Sequence, residues 1–214
     1  MAGDSLFRKY MGAMMAEFVQ NNPDEYTSAY IVDRYVKSSV TLEQLQKIYS
    51  YLSPRMQKSQ EGMNTLSYIN GVKSTAAGSA VKGFSLPDRD GKTFNFDQLK
   101  GKYIWIDFWA SWCGPCKAAF PHMQSLYAKY KSKNLEILGI SNDQTKAPWI
   151  KALDQFNNPW IQVLDDKSIV ASQFAVTALP TSILIGPDGK IIMREVGFNP
   201  NGEFAMKLEA LFGK

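Results

Sequence analysis

At 214 residues the chain can form one large domain or two modest ones, and its 45% hydrophobic content is that of a globular protein with a real core. Basic residues outnumber acidic ones by only 24 to 20, with 8 against 7 over 1–75 and 16 against 13 over 76–214, so neither part carries a nucleic-acid footprint. No apolar run approaches the roughly 18 residues needed to cross a bilayer, and the start Met1-Ala2-Gly3-Asp4-Ser5 lacks the basic and apolar regions of a signal peptide.

Residues 4 to 73 read as helix throughout. Phe7, Met11, Met14 and Phe18 are spaced for one helical face. A second helix is expected from Asn22-Pro23, with asparagine as N-cap, proline at the first helical position, and Asp24 and Glu25 in the first turn. A third has a capping box, Thr41 to Gln44, and the stripe Leu42, Leu45, Ile48, Leu52; Ser53-Pro54 opens a fourth through Met56, Met63, Leu66 and Ile69. Seven of the ten tyrosines and five methionines after Met1 fall in this segment. Two readings of that enrichment compete, a docking surface and a core, and helical spacing favours core. The small and polar stretch from Lys73 to Ala80 has a linker's composition, and the boundaries expected are 1–73, a linker at 74–82, and 83–214.

Downstream, Phe84-Ser85-Leu86 and Thr93-Phe94-Asn95-Phe96 bracket the turn Asp88-Arg89-Asp90-Gly91 as a β-hairpin. Ile104 to Trp109 has the length and the β-branched and aromatic content of a buried strand, and leads into Trp112-Cys113-Gly114-Pro115-Cys116. The cysteines open a helix, where free N–H groups and the positive end of the dipole favour a thiolate on Cys113. Cys116, one turn deeper, can close a disulfide onto it, so the pair can cycle between dithiol and disulfide. A structural zinc would need four ligands, and beyond these two cysteines the chain offers one histidine, His122. A staple across so short a loop would remove little chain entropy. Redox chemistry is therefore the expected use, and His122, more than a turn beyond Cys116, is not expected to join it. Pro121 should remove a hydrogen bond from the cysteine helix and kink it. Lys117 reads as solvated.

Strands at Glu136 to Ser141 and Trp160 to Leu164, helices around 147–156 and 169–174, a second hairpin of Ile183 to Ile185 with Ile191 to Val196, and a closing helix from Glu203 to Phe212 complete the pattern. Strands alternating with helices imply an α/β fold, a mixed sheet flanked by helices and preceded by an all-α segment. Asp107 interrupts the central strand. A charged carboxylate in a core is costly, so its proton affinity should rise; it could relay a proton for Cys116, or be a strand-end carboxylate bonded to backbone.

The pentapeptide around the cysteines is the thioredoxin signature, and Leu179-Pro180-Thr181 resembles the loop that carries that family's cis-proline. Phe84 to Asp88, Asp90-Gly91-Lys92, Leu99 to Lys102, Pro121 and Ile183 to Lys190 resemble the exported thiol:disulfide oxidoreductases of the TlpA/ResA type, within the AhpC/TSA-like thioredoxin superfamily. Asn22 to Tyr26 and Leu52-Ser53-Pro54 resemble the helical tail found ahead of this module in Bacteroidetes proteins, which implies a chain that begins inside a larger protein.

The resemblance implies a thioredoxin-like fold and a protein-disulfide reductase with catalytic Cys113, Cys116 and Asp107. It implies client contacts at Trp112, Gly114, Pro115, Leu179 and Pro180, and no cofactor beyond the Cys113–Cys116 couple. The partners expected are disulfide-containing protein clients and an upstream thiol electron donor, without nucleic acid. The location expected is periplasmic or exported, a membrane anchor in the full-length protein being compatible with it. The sequence departs from relatives in carrying Ala119 where a glutamate is common, and in lacking a lysine on the strand beside Asp107. Two alternatives compete: a peroxiredoxin-like peroxidase, disfavoured by Ala110 where a threonine would precede the reactive cysteine, and a non-enzymatic client-binding scaffold, disfavoured by the intact cysteine pair.

Overall fold

The computed structural model describes residues 2–213, with side chains from residue 12 onward, so Phe7 and Met11 of the first expected stripe lie outside the described side chains. The chain divides into two compact units, Met1–Lys73 and Ser74–Lys214.

The first unit is all helix: α1 (Ala2–Asn21), α2 (Tyr26–Ile31) running into a π-helical turn (Val32–Val36), α3 (Leu42–Tyr51), α4 (Pro54–Gln57) and α5 (Gln60–Ser74). Local chemistry sets two of the starts. Thr41 Oγ1 accepts from Gln44 N–H while Gln44 Oε1 accepts from Thr41 N–H, which closes the expected capping box of α3. Ser53 caps α4 by accepting from Met56 N–H.

Three expectations change here. Asn22 does not cap a helix start: its N–H and its side-chain amide both donate to Phe18 O, finishing α1, while Asp24 is held by Arg55 and Ser53, so α2 begins only at Tyr26. The fourth expected helix is broken between α4 and α5, where Ser59 Oγ accepts from Gly62 N–H. The core faces also rotate. Val19, Leu45, Ile48, Leu52, Met56 and Ile69 are buried, but Met14, Phe18, Met63 and Leu66 are exposed, because α1 turns Met15, Ala16 and Val19 inward and α5 turns Gly62, Thr65 and Ile69 inward. Tyr26, Tyr30 and Tyr35 are exposed too, so the aromatic and methionine enrichment is only partly core.

The second unit is a five-stranded mixed sheet of order β5-β4-β3-β6-β7, built from β3 (Tyr103–Trp109), β4 (Leu135–Ser141), β5 (Ile161–Leu164), β6 (Thr181–Ile185) and β7 (Ile191–Val196). β3, β4 and β5 run parallel, β6 pairs antiparallel to β3, and β7 pairs antiparallel to β6. A separate hairpin joins β1 (Ser85–Pro87) to β2 (Thr93–Asn95). Trp105 and Trp109 of β3 share one core with residues of α6 (Gly114–Tyr130), α7 (Lys146–Phe156) and α9 (Glu203–Phe212). Ile104, Ile106 and Phe108 join a second core with the hairpin and α8 (Ile169–Gln173) on the other face. Part of the stretch expected as linker is paired: Gly78 N–H donates to Ile191 O at 2.7 Å, Val81 N–H to Gly189 O at 3.0 Å, and Ile191 N–H to Ser79 O at 2.9 Å. No helix among the described residues is long and apolar enough to cross a membrane.

Candidate active site

β3 is completely buried beyond its first residue, and its chain emerges at Ala110 to turn into α6. The turn is pinned from the side by Asp143, just past β4, which accepts from Ser111 N–H at 2.9 Å, from Ser111 Oγ at 2.6 Å and from Ser141 Oγ at 2.7 Å. This buried carboxylate holds the residues leading to the cysteines, and no motif in the sequence singles it out.

Cys113 is the N-cap of α6, in extended conformation, and its sulfur accepts from Cys116 N–H at 3.2 Å. Pro115 occupies the first turn, where its missing N–H costs nothing. Cys113 and Cys116 form a disulfide, with Cα atoms 5.3 Å apart. Both cysteines are nearly buried, at 4% and 1% exposure, whereas Trp112 keeps 68% of its surface and Gly114 and Pro115 are exposed around them. Trp112 is thus a rim rather than a packing residue. α6 continues unbroken through Pro121.

The Leu179–Pro180 peptide is cis. Pro180 O accepts from Gly197 N–H at 2.8 Å, which ties the loop to the end of β7, while Leu179 makes no backbone hydrogen bond with other described residues.

Asp107 is 2% exposed, and burial pushes its carboxyl up from 3.8 to about 7. Among the described residues, neither a backbone hydrogen bond nor an ion pair to the carboxylate offsets that desolvation. It borders a cavity of about 20 Å³ together with Ala119, Pro180, Ser182, Glu195 and His122. His122, distant from Cys116 along the helix, lies against the same cavity as Asp107, a placement its spacing in sequence does not show, with Nε2 buried and unpaired among the described residues. Glu195 was equally invisible in sequence, because only the pairing of β6 with β7 brings it there.

The family model described as AhpC/TSA matches residues 77–194. The thiol-disulfide oxidoreductase ResA of Bacillus subtilis is 34% identical over 122 residues, which cover 57% of this chain and 68% of that protein. Among solved structures, a thiol-disulfide oxidoreductase from Bacteroides fragilis is 34% identical, with a TM-score of 0.56 over 62% of this chain and 99% of that one. A thiol:disulfide interchange protein from Bacteroides sp. is 30% identical, with a TM-score of 0.58 over 66% and 93%. The family match falls wholly within the unit that carries the disulfide, and the chain belongs to the AhpC/TSA family, among its thiol-disulfide oxidoreductases of the ResA type.

Proposed function

We propose that this protein is a protein-disulfide reductase acting on exported clients in the periplasm or at the outer face of the cell, recharged by an upstream thiol donor and using no cofactor beyond its own cysteines. One observation carries the reading: the Cys113–Cys116 disulfide sits at a helix N-terminus, with a buried carboxyl of raised proton affinity on the neighbouring strand.

In the reduced protein, Cys113 attacks as the thiolate, because the N–H of Cys116 and the start of α6 already point at its sulfur. The thiolate displaces one sulfur of the client disulfide and leaves a mixed disulfide. Cys116 then attacks Cys113 Sγ, loses its proton to Asp107, and releases the client as a thiol. Exposed Trp112, Gly114 and Pro115, together with the unpaired backbone of Leu179 beside cis Pro180, offer an extended client chain an apolar rim and main-chain partners.

Gly114-Pro115 is the thioredoxin dipeptide, and thioredoxin lies near about −270 mV, so reduction is the direction expected; a measured potential above about −180 mV reverses it. Insulin reduction tests the activity. Cys113→Ser should abolish turnover, and Cys116→Ser should trap a client as a mixed disulfide that mass spectrometry identifies. Turnover that survives Cys113→Ser would overturn the assignment.

A further inference from the structure

In the mechanism above, Asp107 takes up a proton in every turnover and must release it, yet only 2% of its surface is exposed. α6 supplies no carboxylate to pass it on, since Ala119 occupies that wall of the cavity. The sheet supplies one from the other side. Asp107 on β3 is paired with Ser182 on β6, and Ser182 with Glu195 on β7, so the three side chains stand in a row on one face. Paired strands place facing Cα atoms about 5 Å apart, so the two carboxyls are separated by about two such steps, bridged by the serine.

Ser182 Oγ already accepts from Trp105 Nε1 at 3.0 Å, which leaves its own O–H to donate into the row. The cavity that all three border, about 20 Å³, has room for about one water. Glu195 is half-buried, at the edge of the same space, with its carboxylate near the N–H of Phe204 at the start of α9. Burial raises its proton affinity, the nearby Phe204 N–H opposes that, and Glu203 on α9 adds to it. The remaining titratable wall is His122 on α6; β6 contributes only the serine.

We propose that Glu195 is the outlet through which Asp107 exchanges its proton with solvent, by way of the cavity and Ser182. The inference rests on the proposed role of Asp107. As Cys116 sulfur bonds to Cys113, the Cys113–client bond breaks, and the client sulfur leaves with the electron pair and is protonated from bulk water. The proton shed by Cys116 goes to Asp107, then through a water in the cavity and the Ser182 hydroxyl to Glu195 and out. Two electrons pass from the cysteine pair to the client disulfide, and no other reagent is consumed. Glu195 acts through Asp107 and touches neither sulfur nor client in this scheme, so it is a positioning residue.

The test is Glu195→Gln in the full chain. Glutamine keeps the size of the side chain and an oxygen toward Phe204 N–H, so the surroundings of α9 change little, but it cannot carry the proton. Stopped-flow reduction of an insulin disulfide from pH 5.5 to 9 should show attack by Cys113 unchanged and resolution of the mixed disulfide slowed at least about tenfold. Small buffers such as formate or imidazole should restore the rate in the variant and leave wild type unaffected, and Glu195→Asp should recover part of it. A purely capping role for Glu195 would lower the melting temperature without changing the pH profile or creating buffer rescue, and that result overturns the proposal. Asp107→Asn, run in parallel, separates the two claims. If its profile matches wild type, the Asp107 role and the outlet both fail; if it is altered while Glu195→Gln is not, only the outlet fails.

Discussion

A buried carboxyl without an ion pair is a standing cost once it ionises. For Asp107 the sign and size follow from a proton affinity raised from 3.8 to about 7. Below pH 3.8 the group is protonated in folded and unfolded chains alike and contributes no pH dependence. As pH rises toward 7, the unfolded chain sheds a proton that the folded one keeps, so stability falls, and above 7 the loss is complete at about 4 kcal/mol. Urea titrations of the oxidised protein at pH 5 and 8 should therefore show wild type losing about 2 to 3 kcal/mol relative to Asp107→Asn. Parallel pH dependence in the two proteins would contradict the burial argument. A fold that tolerates this cost at a single strand position is consistent with a residue kept for proton transfer. Asp107 could be suspected from sequence because a charge inside an apolar run is conspicuous. His122 could not, since its spacing along α6 says how far it lies from Cys116 and nothing about what β3 and β7 bring beneath it.

At the level of elements, helix starts were legible wherever the chemistry is local. Thr41 with Gln44, Ser53, and Cys113 at the head of α6 each supply an acceptor to an N–H three residues on. Asn22 failed as a start because its backbone N–H and side-chain amide were claimed by α1 and its carbonyl by Ser28, a competition decided by packing. The break between α4 and α5 has a comparable cause. A Cβ on Gly62 would lie 2.2 Å from Met56 O and 2.6 Å from Gln57 O, so the two helices can approach only if residue 62 lacks a side chain. Gly62→Ala should thus lower stability by about 1 to 3 kcal/mol, read from a thermal melt followed by circular dichroism, although alanine is intrinsically the better helix former by about 1 kcal/mol. An unchanged or higher melting temperature would show that the close approach does not matter.

For the molecule as a whole, the chain is organised as two compact units with separate cores. The stretch between them by composition, 74–82, belongs in part to the second unit, where Gly78, Ser79 and Val81 hydrogen-bond along 189–191 and Val81 packs onto the core shared with β3. A fragment of residues 74–214 should keep insulin-reducing activity, and one of residues 83–214 should be less stable by about 3 kcal/mol, the order expected for three lost hydrogen bonds. Equal denaturant midpoints for the two fragments would return 74–82 to the status of a linker.

The sequence by itself determined the α/β pattern of the second unit, the helix-capped cysteine pair and the helical character of the first unit. Each of these is written in contacts between residues a few positions apart, through capping, alternation and the hydrophobic run of β3. Only the tertiary structure decided which faces of α1 and α5 turn inward, that 78–81 join the second unit, and that Asp107, Ser182, Glu195 and His122 meet around one cavity. Those outcomes depend on sheet order, strand register and helix rotation, which are set by burying distant surfaces against one another rather than by any residue's neighbours along the chain.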